Sequence, residues 1–545
     1  MNEPRSLVIE QVVTWVLTTC VIVVLVLQVR LLYDFPQPDS ARWWGDETGQ
    51  MLELRAELQD GYARIPTGIG SSVAITNGLV RGNSWLAALL FGVPSLIFAT
   101  SADLVSIGRT VTFVCSILLL FVIYRMLRGI RVSPMLAVFA LLLLVTTRSF
   151  FFASHAARLD VVAGVALLGF VWYLATRFEV TRDRPWMNSP RWFFLYGAMA
   201  VLFATLSIHL LALLFVLSLY MLWRSRIFRN VPGAMAAMGG AIVVLALLLS
   251  IYALSGAPVT MFGPSIAHNQ FQSVAGGLPI LRPFSRSVQV ANILERLHGL
   301  WSEAPAVLLL FVISIVISLF RGDRAKDHRA SWLSGAAIVI ALAWLLLESP
   351  ALYYYMQVLP LFVVALIALL ASRWRSSLLL CVPTLVAGII LCYLGTRDAL
   401  NASSLAETIA RDNNRAIEEV TTTINLQSPN GRPTVLAQNP AIARLEHDTT
   451  LRLMTAHFIS FPIYRGPIPD ILRATHVGYI VLYASHDGSV YSEEYGVLRP
   501  IADRIATPVL KIPGTLFDVH RDYFKPLSQD SLDTLILYSF PYRAR

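Results

Sequence analysis

Apolar runs separated by short Arg-bearing breaks succeed one another from Val8 to Cys392, and from Gly395 onward they stop. A hydrocarbon core of about 30 Å is crossed by roughly 20 helical residues. Runs of that kind occur at 8–29, 107–124, 134–150, 159–176, 192–208, 209–223, 233–253, 304–320, 331–348, 354–371 and 378–395. A further apolar stretch, 85–99, is shorter, contains Pro94 and is followed by Asp103, which predicts a helix lying along the interface rather than a span. Past 395 the pattern changes. A polar helix-like run over 404–424 precedes Pro433-Thr-Val-Leu-Ala437 and Gly478-Tyr-Ile-Val-Leu-Tyr-Ala484, short continuous apolar runs of the kind that form buried strands. The pattern predicts a polytopic α-helical membrane protein of about eleven spans over 1–395, with long loops at 30–106 and 254–303. A small α/β domain is expected over 396–545.

Composition agrees: 56% of the 545 residues are hydrophobic and 14% are charged, against about 25% charged in soluble domains. A net charge of +9 raises the question of nucleic acid, but the basic residues form no continuous face. They mark topology instead. The breaks 1–7, 125–133, 177–191, 224–231, 321–330 and 372–377 hold 17 Lys or Arg in 55 residues, whereas the opposite loops hold 11 in more than twice that length. The positive-inside rule assigns the first set to the cytoplasm, so the N-terminus is expected there and both long loops and the C-terminal domain outside. Met1 to Arg30 has no small-residue cleavage site, so the first segment is expected to stay as a span. Only 3 of the 43 basic residues are Lys, a bias that fits a GC-rich bacterial genome and hence a bacterial inner membrane. Cys20, Cys115, Cys381 and Cys392 lie singly in apolar segments, without the paired spacing of a zinc site or a disulfide framework.

Chemistry is therefore sought on the expected external side. Trp43-Trp44-Gly45-Asp46-Glu47 sets two carboxylates behind two interface-seeking rings, suited to a general base or a metal ligand at a lipid headgroup. The same residues also suit a helix start, with Asp46 as cap and Glu47 favoured by the dipole. Ser154-His155-Ala-Ala-Arg158-Leu-Asp160 sits where the third span ends and the fourth begins; it reads either as a charged mouth or as an ion pair closing a helical hairpin. Arg109 opens the second span on the same side, placed to bind a phosphate or to snorkel to the interface. His209 and His268 stand alone. Tyr354 and Tyr355, within Glu348-Ser-Pro-Ala-Leu-Tyr-Tyr-Tyr-Met-Gln357, are interface aromatics expected on the same external side. No glycine-rich phosphate loop is present, so no nucleotide site is expected.

The order of these features over 8–372 resembles the GT-C superfamily of membrane glycosyltransferases, notably the protein O-mannosyltransferases and the bacterial aminoarabinose transferases of lipid A. The resemblance rests on Asp46-Glu47 in the first external loop, the interfacial segment after it, Arg109 ahead of a span ending Tyr124-Arg125-Met-Leu-Arg128, Arg158-Leu-Asp160, and Tyr354-Tyr355-Met-Gln-Val-Leu-Pro360-Leu. It departs before the interfacial helix, where a proline-rich pattern is replaced by Gly82-Asn83-Ser84-Trp85. The resemblance implies transfer of a sugar from a polyprenyl-phosphate donor to an external glycan, lipid or protein acceptor, with inversion. It implies Asp46 as base, with Glu47 and Asp160 as further catalytic carboxylates. Arg109, Arg158, His155, His268, Tyr354 and Tyr355 would then bind substrate. No cofactor is required; a divalent metal is an open alternative, with Asp46, Asp160 and His268 as its candidate ligands. The rival reading, a transporter or flippase of lipid-linked sugars, calls for ionisable residues at span centres, and these spans are almost uncharged there.

Overall fold

The computed structural model describes residues 3–33, 104–155, 159–176, 190–204, 208–225, 231–254, 328–345, 352–373, 377–429, 433–437, 451–455, 467–484, 493–515 and 533–540, with isolated positions between them. It is mostly helical, with one small sheet. The helices are α1 (Glu3–Tyr33), α2 (Leu104–Gly129), α3 (Pro134–Val145), α4 (Arg148–His155), α5 (Asp160–Leu174), α6 (Pro190–Ala204), α7 (Ile208–Ser225), α8 (Val231–Leu254), α9 (His328–Leu345), α10 (Leu359–Arg373) and α11 (Ser377–Gln427), with a 3-10 helix at Leu352–Gln357. Each expected span overlaps one or two of these elements except 304–320, which lies mostly outside the described residues. Among the described residues, Val8–Val29, Ile107–Gly129 and Leu380–Ser404 are long and apolar enough to cross a membrane alone, and α3 with α4 would form a fourth span if the bent pair is counted together. The remaining apolar helices are shorter. The expected interfacial helix, 85–99, and the loops 30–106 and 254–303 lie outside the described residues except at isolated points.

The third expected span, 134–150, is not straight. Ser133 and Pro134 start α3, the serine hydroxyl accepting from the Leu136 amide at 3.4 Å. The helix then breaks at Thr146-Thr147 and resumes as α4 at 71°. The two threonines supply the local cause. Thr146 Oγ1 donates to the Leu142 carbonyl (2.8 Å) and Thr147 Oγ1 to that of Leu144 (2.7 Å), while Thr147 Oγ1 also accepts from the Phe150 amide (3.2 Å). One side chain thereby closes the first helix and caps the second. Ser149 to His155, at the end of that expected span and just beyond it, are all buried.

α1 and α11 pack in register. A Cβ on Gly388 would strike Leu17, one on Gly395 would meet Thr146 and Val24, and the Cys392 thiol lies 4.0 Å from the Cys20 carbonyl. Contacts that advance together along both sequences mean that the two helices run parallel. α11 therefore leaves the bundle at the end where α1 ends, and Arg148 of α4 pairs with its Asp398 at 3.9 Å. Elsewhere α6 and α8 approach closely because Gly197 faces the Ala237 carbonyl and Gly240 that of Phe194.

α11 does not stop where its apolar character does. It runs unbroken for 51 residues, through the expected boundary at 395, and joins the separately expected span and polar helix into one element. Its last turns carry Ala416, Ile417, Val420 and Ile424 onto one face of a five-stranded sheet. That sheet contains β1 (Thr434–Ala437), β2 (Arg452–Thr455), β3 (Val477–Ala484), β4 (Thr507–Thr515) and β5 (Asp533–Ser539) in the order β2-β1-β3-β5-β4. β1 is parallel to β2 and β3; β5 is antiparallel to β3 and β4. β3 divides as its period of two requires: Tyr479, Val481 and Tyr483 face α11, whereas Ile480, Leu482 and Ala484 face Leu472 of α12 (Ile468–Ala474) and Leu498 of α13 (Glu493–Ile505). The C-terminal unit is thus a three-layer α/β domain, with the two strands expected from sequence at β1 and β3.

Candidate functional site

At the end of the bundle where α1 finishes, polar side chains are buried among apolar ones. Gln28, Arg109, Ser154, His155, Asp160 and Gln357 are each at most 7% exposed. They come from five elements: α1, α2, α4, α5 and the short helix Leu352–Gln357.

The α3–α4 break creates the first need for them. Val145 ends α3, and its carbonyl, one of those that a helix terminus leaves without an amide, accepts from Gln28 Nε2 at 3.0 Å. The Gln28 carbonyl lies 2.7 Å from His155 Nε2, and His155 Nδ1 lies 2.6 Å from the Phe151 carbonyl and 2.9 Å from Ser154 Oγ. The imidazole stacks on Phe151 at 5.1 Å and leans on Phe113 at 5.6 Å. Both of its nitrogens thus sit against backbone carbonyls, and the ring ties α4 to the end of α1. Arg109, on the first turns of α2, is close enough for its charge to act on this ring.

Asp160 is the first residue of α5, where the helix dipole favours a carboxylate. Its Oδ1 accepts from Gln357 Nε2 at 2.9 Å. One turn further along the same face, Gly164 admits the backbone of the short helix, for a Cβ there would lie 2.5 Å from the Met356 carbonyl oxygen. Tyr355 is 1% exposed, with its ring 5.7 Å from that of Trp344 on α9.

Of the residues expected from sequence, Arg109, His155, Asp160 and Tyr355 are brought to this one end of the bundle. Tyr354 lies in the same short helix, and its side chain is outside what the structure describes. Asp46, Glu47, Arg158 and His268 are likewise outside the described residues. Sequence reasoning passed over Gln28 and Gln357 as members of the site. The available signal was an uncharged amide inside or beside an apolar run, which has to find a partner within the protein. Among the described residues, no three His, Cys, Asp or Glu side chains group as a metal site would require.

A buried cation and a buried carboxylate at helix ends, in surroundings of low dielectric, can hold an anionic headgroup and orient a hydroxyl beside it. No protein-family model and no curated protein matches the sequence. Among solved structures, the archaeal oligosaccharyltransferase AglB from Archaeoglobus fulgidus, in complex with an inhibitory peptide and a dolichol-phosphate, is similar to this chain. The TM-score is 0.46 and the identity 11%, over 85% of this chain and 69% of that one. At that identity no residue role passes from one chain to the other.

Proposed function

We propose that this protein is a membrane glycosyltransferase that moves a sugar from a polyprenyl-phosphate donor to a glycan, lipid or protein acceptor at the outer face of a bacterial inner membrane, by direct displacement with inversion. The observation that carries the proposal is the gathering of Arg109, His155, Asp160 and Gln357 at the end of the bundle from which α11 rises into the α/β domain. Polar groups at helix ends, rather than at span centres, suit chemistry on a lipid headgroup better than passage of a solute.

A lipid phosphate is already a leaving group. What the protein must add is a base for the acceptor hydroxyl, cations for the departing charge, and orientation. Asp46 takes the hydroxyl proton as the new bond to the anomeric carbon forms, and Glu47 orients the acceptor. Asp160 is the second carboxylate at the mouth. Arg109 and Arg158, with His268, offset the charge that develops on the phosphate as the anomeric bond breaks, while His155 ties α4 to the end of α1. Tyr354 and Tyr355 contribute to substrate binding through the short helix that carries them, and any metal requirement is modest.

Asp46→Asn tests the base. The amide keeps the shape and caps a helix about as well, but it cannot accept the proton, so transfer should fall by about 10²-fold or more while folding and donor binding persist. Glu47→Gln should be milder, and Arg158→Ala should weaken donor binding. Transfer by Asp46→Asn at more than about a tenth of the wild-type rate would move the base to Asp160.

A further inference from the structure

Asp160 and Gly164 stand four residues apart on α5 and therefore on one face. Gly164 lets the Met356 carbonyl come against the helix, and the next residue, Gln357, then reaches Asp160 with its amide at 2.9 Å. Gln357 is 1% exposed and Asp160 5%, so the bond is shielded from water. A hydrogen bond to a buried carboxylate is directional and hard to replace. From this arrangement we propose that Gln357 is a positioning residue that holds the Asp160 carboxylate in one orientation for glycosyl transfer.

The proposal rests on the glycosyl-transfer reading for what Asp160 does, but not for the contact itself. Gln357 touches no reacting atom; it acts through Asp160. The short helix is seated by the glycine below and by Tyr355 against Trp344, so the amide is delivered from a fixed backbone rather than from a loop tip.

Two substitutions separate a positioning role from a packing role. Gln357→Leu keeps the bulk and removes the donor. Gln357→Glu sets a second carboxyl against the first, and two carboxyls at hydrogen-bond distance share one proton. While that proton is held, the introduced carboxyl and that of Asp160 are joined by a hydrogen bond that replaces the lost amide bond; once it leaves, the two repel. The other titratable groups described on the elements packed around this end are His155 and Arg148 on α4, Asp398 on α11, which pairs with Arg148, Arg109 on α2 and Tyr355 of the short helix. They are common to all the variants, so a difference between the Gln357→Leu and Gln357→Glu proteins isolates position 357.

The test uses full-length protein in lipid vesicles with two readouts. The first is infrared titration of carboxyl groups, which needs no activity. Gln357→Glu should show one more protonated carboxyl at neutral pH than wild type, and the band should vanish in Gln357→Glu with Asp160→Asn. An unchanged spectrum would overturn the contact. The second is release of polyprenyl phosphate from a panel of synthetic polyprenyl-phosphate hexoses and pentoses. Gln357→Leu should lose about tenfold or more in kcat at every pH, with KM for the donor little changed. Gln357→Glu should regain most of that rate toward acid pH and lose it toward alkaline pH. Parallel pH profiles for the two variants would overturn the positioning role. If the shared-proton band is present and wild type turns over no donor in the panel, the glycosyl-transfer reading falls and the Gln357–Asp160 pair stands.

Discussion

Two glycines on α5 face opposite consequences from the same added methyl group. At Gly169 nothing lies within 4 Å of the new carbon, so alanine removes only the flexibility of the unfolded chain and should stabilise the protein by about 0.5–1 kcal/mol. At Gly164 the new carbon would stand 2.5 Å from a backbone oxygen, which has no rotamer to escape by. The short helix must then shift. Gly164→Ala should cost about 1–3 kcal/mol and break the Asp160–Gln357 bond in the same stroke. Thermal unfolding of the two variants in one detergent should show Tm shifts of opposite sign. Equal shifts would mean that the close approach of Met356 is not a determinant of this site.

At the scale of elements, the α3–α4 elbow is where an apolar sequence departs most from the straight span it suggests. Thr147→Val keeps the shape of the side chain and removes the oxygen that caps α4. The Phe150 amide is then left without its acceptor, at a cost of about 1–2 kcal/mol. Because α4 carries His155 to the end of α1, a loss of transfer larger than the loss of stability is expected, measured as rate per folded molecule. Thr146→Val, which removes a bond back into α3 only, should be milder. The elbow was not legible beforehand for a physical reason. Hydropathy records which residues avoid water, and a buried bend avoids water as well as a straight helix does. The expected strands at β1 and β3 were legible because a short apolar run between turns has few other uses. The site divides the same way. Arg109, His155 and Asp160 stood out because charge or imidazole beside an apolar run demands an explanation, whereas Gln28 and Gln357 carry no charge and matter through the partners that folding brings to them.

For the whole molecule, relative sidedness follows from geometry: α1 and α11 run parallel, and the polar cluster lies at the end from which α11 emerges. The absolute direction rests on the Arg clusters. Reporters fused after Arg131, Arg229 and Arg329 should read cytoplasmic, and those after Gly276 and Asn430 external. A cytoplasmic reading at Asn430 would set the α/β domain on the wrong side for an acceptor outside the cell, and the proposed function would go with it.

The unbroken passage of α11 from bundle to sheet makes the domain a hand on a stiff arm. A helix of 51 residues is about 76 Å long, and it transmits rotation as faithfully as it transmits length. The azimuth of the α/β domain over the site is therefore written in residue count. One alanine inserted between Glu407 and Thr408 would swing the domain by about 100° and lift it by about 1.5 Å, while seven would lift it by about 10 Å and restore its bearing to within about 20°. If the domain presents the acceptor, activity plotted against insert length should oscillate with the helical repeat beneath a falling envelope. A smooth decline would mean that only height matters, and a flat line that the domain works away from the site.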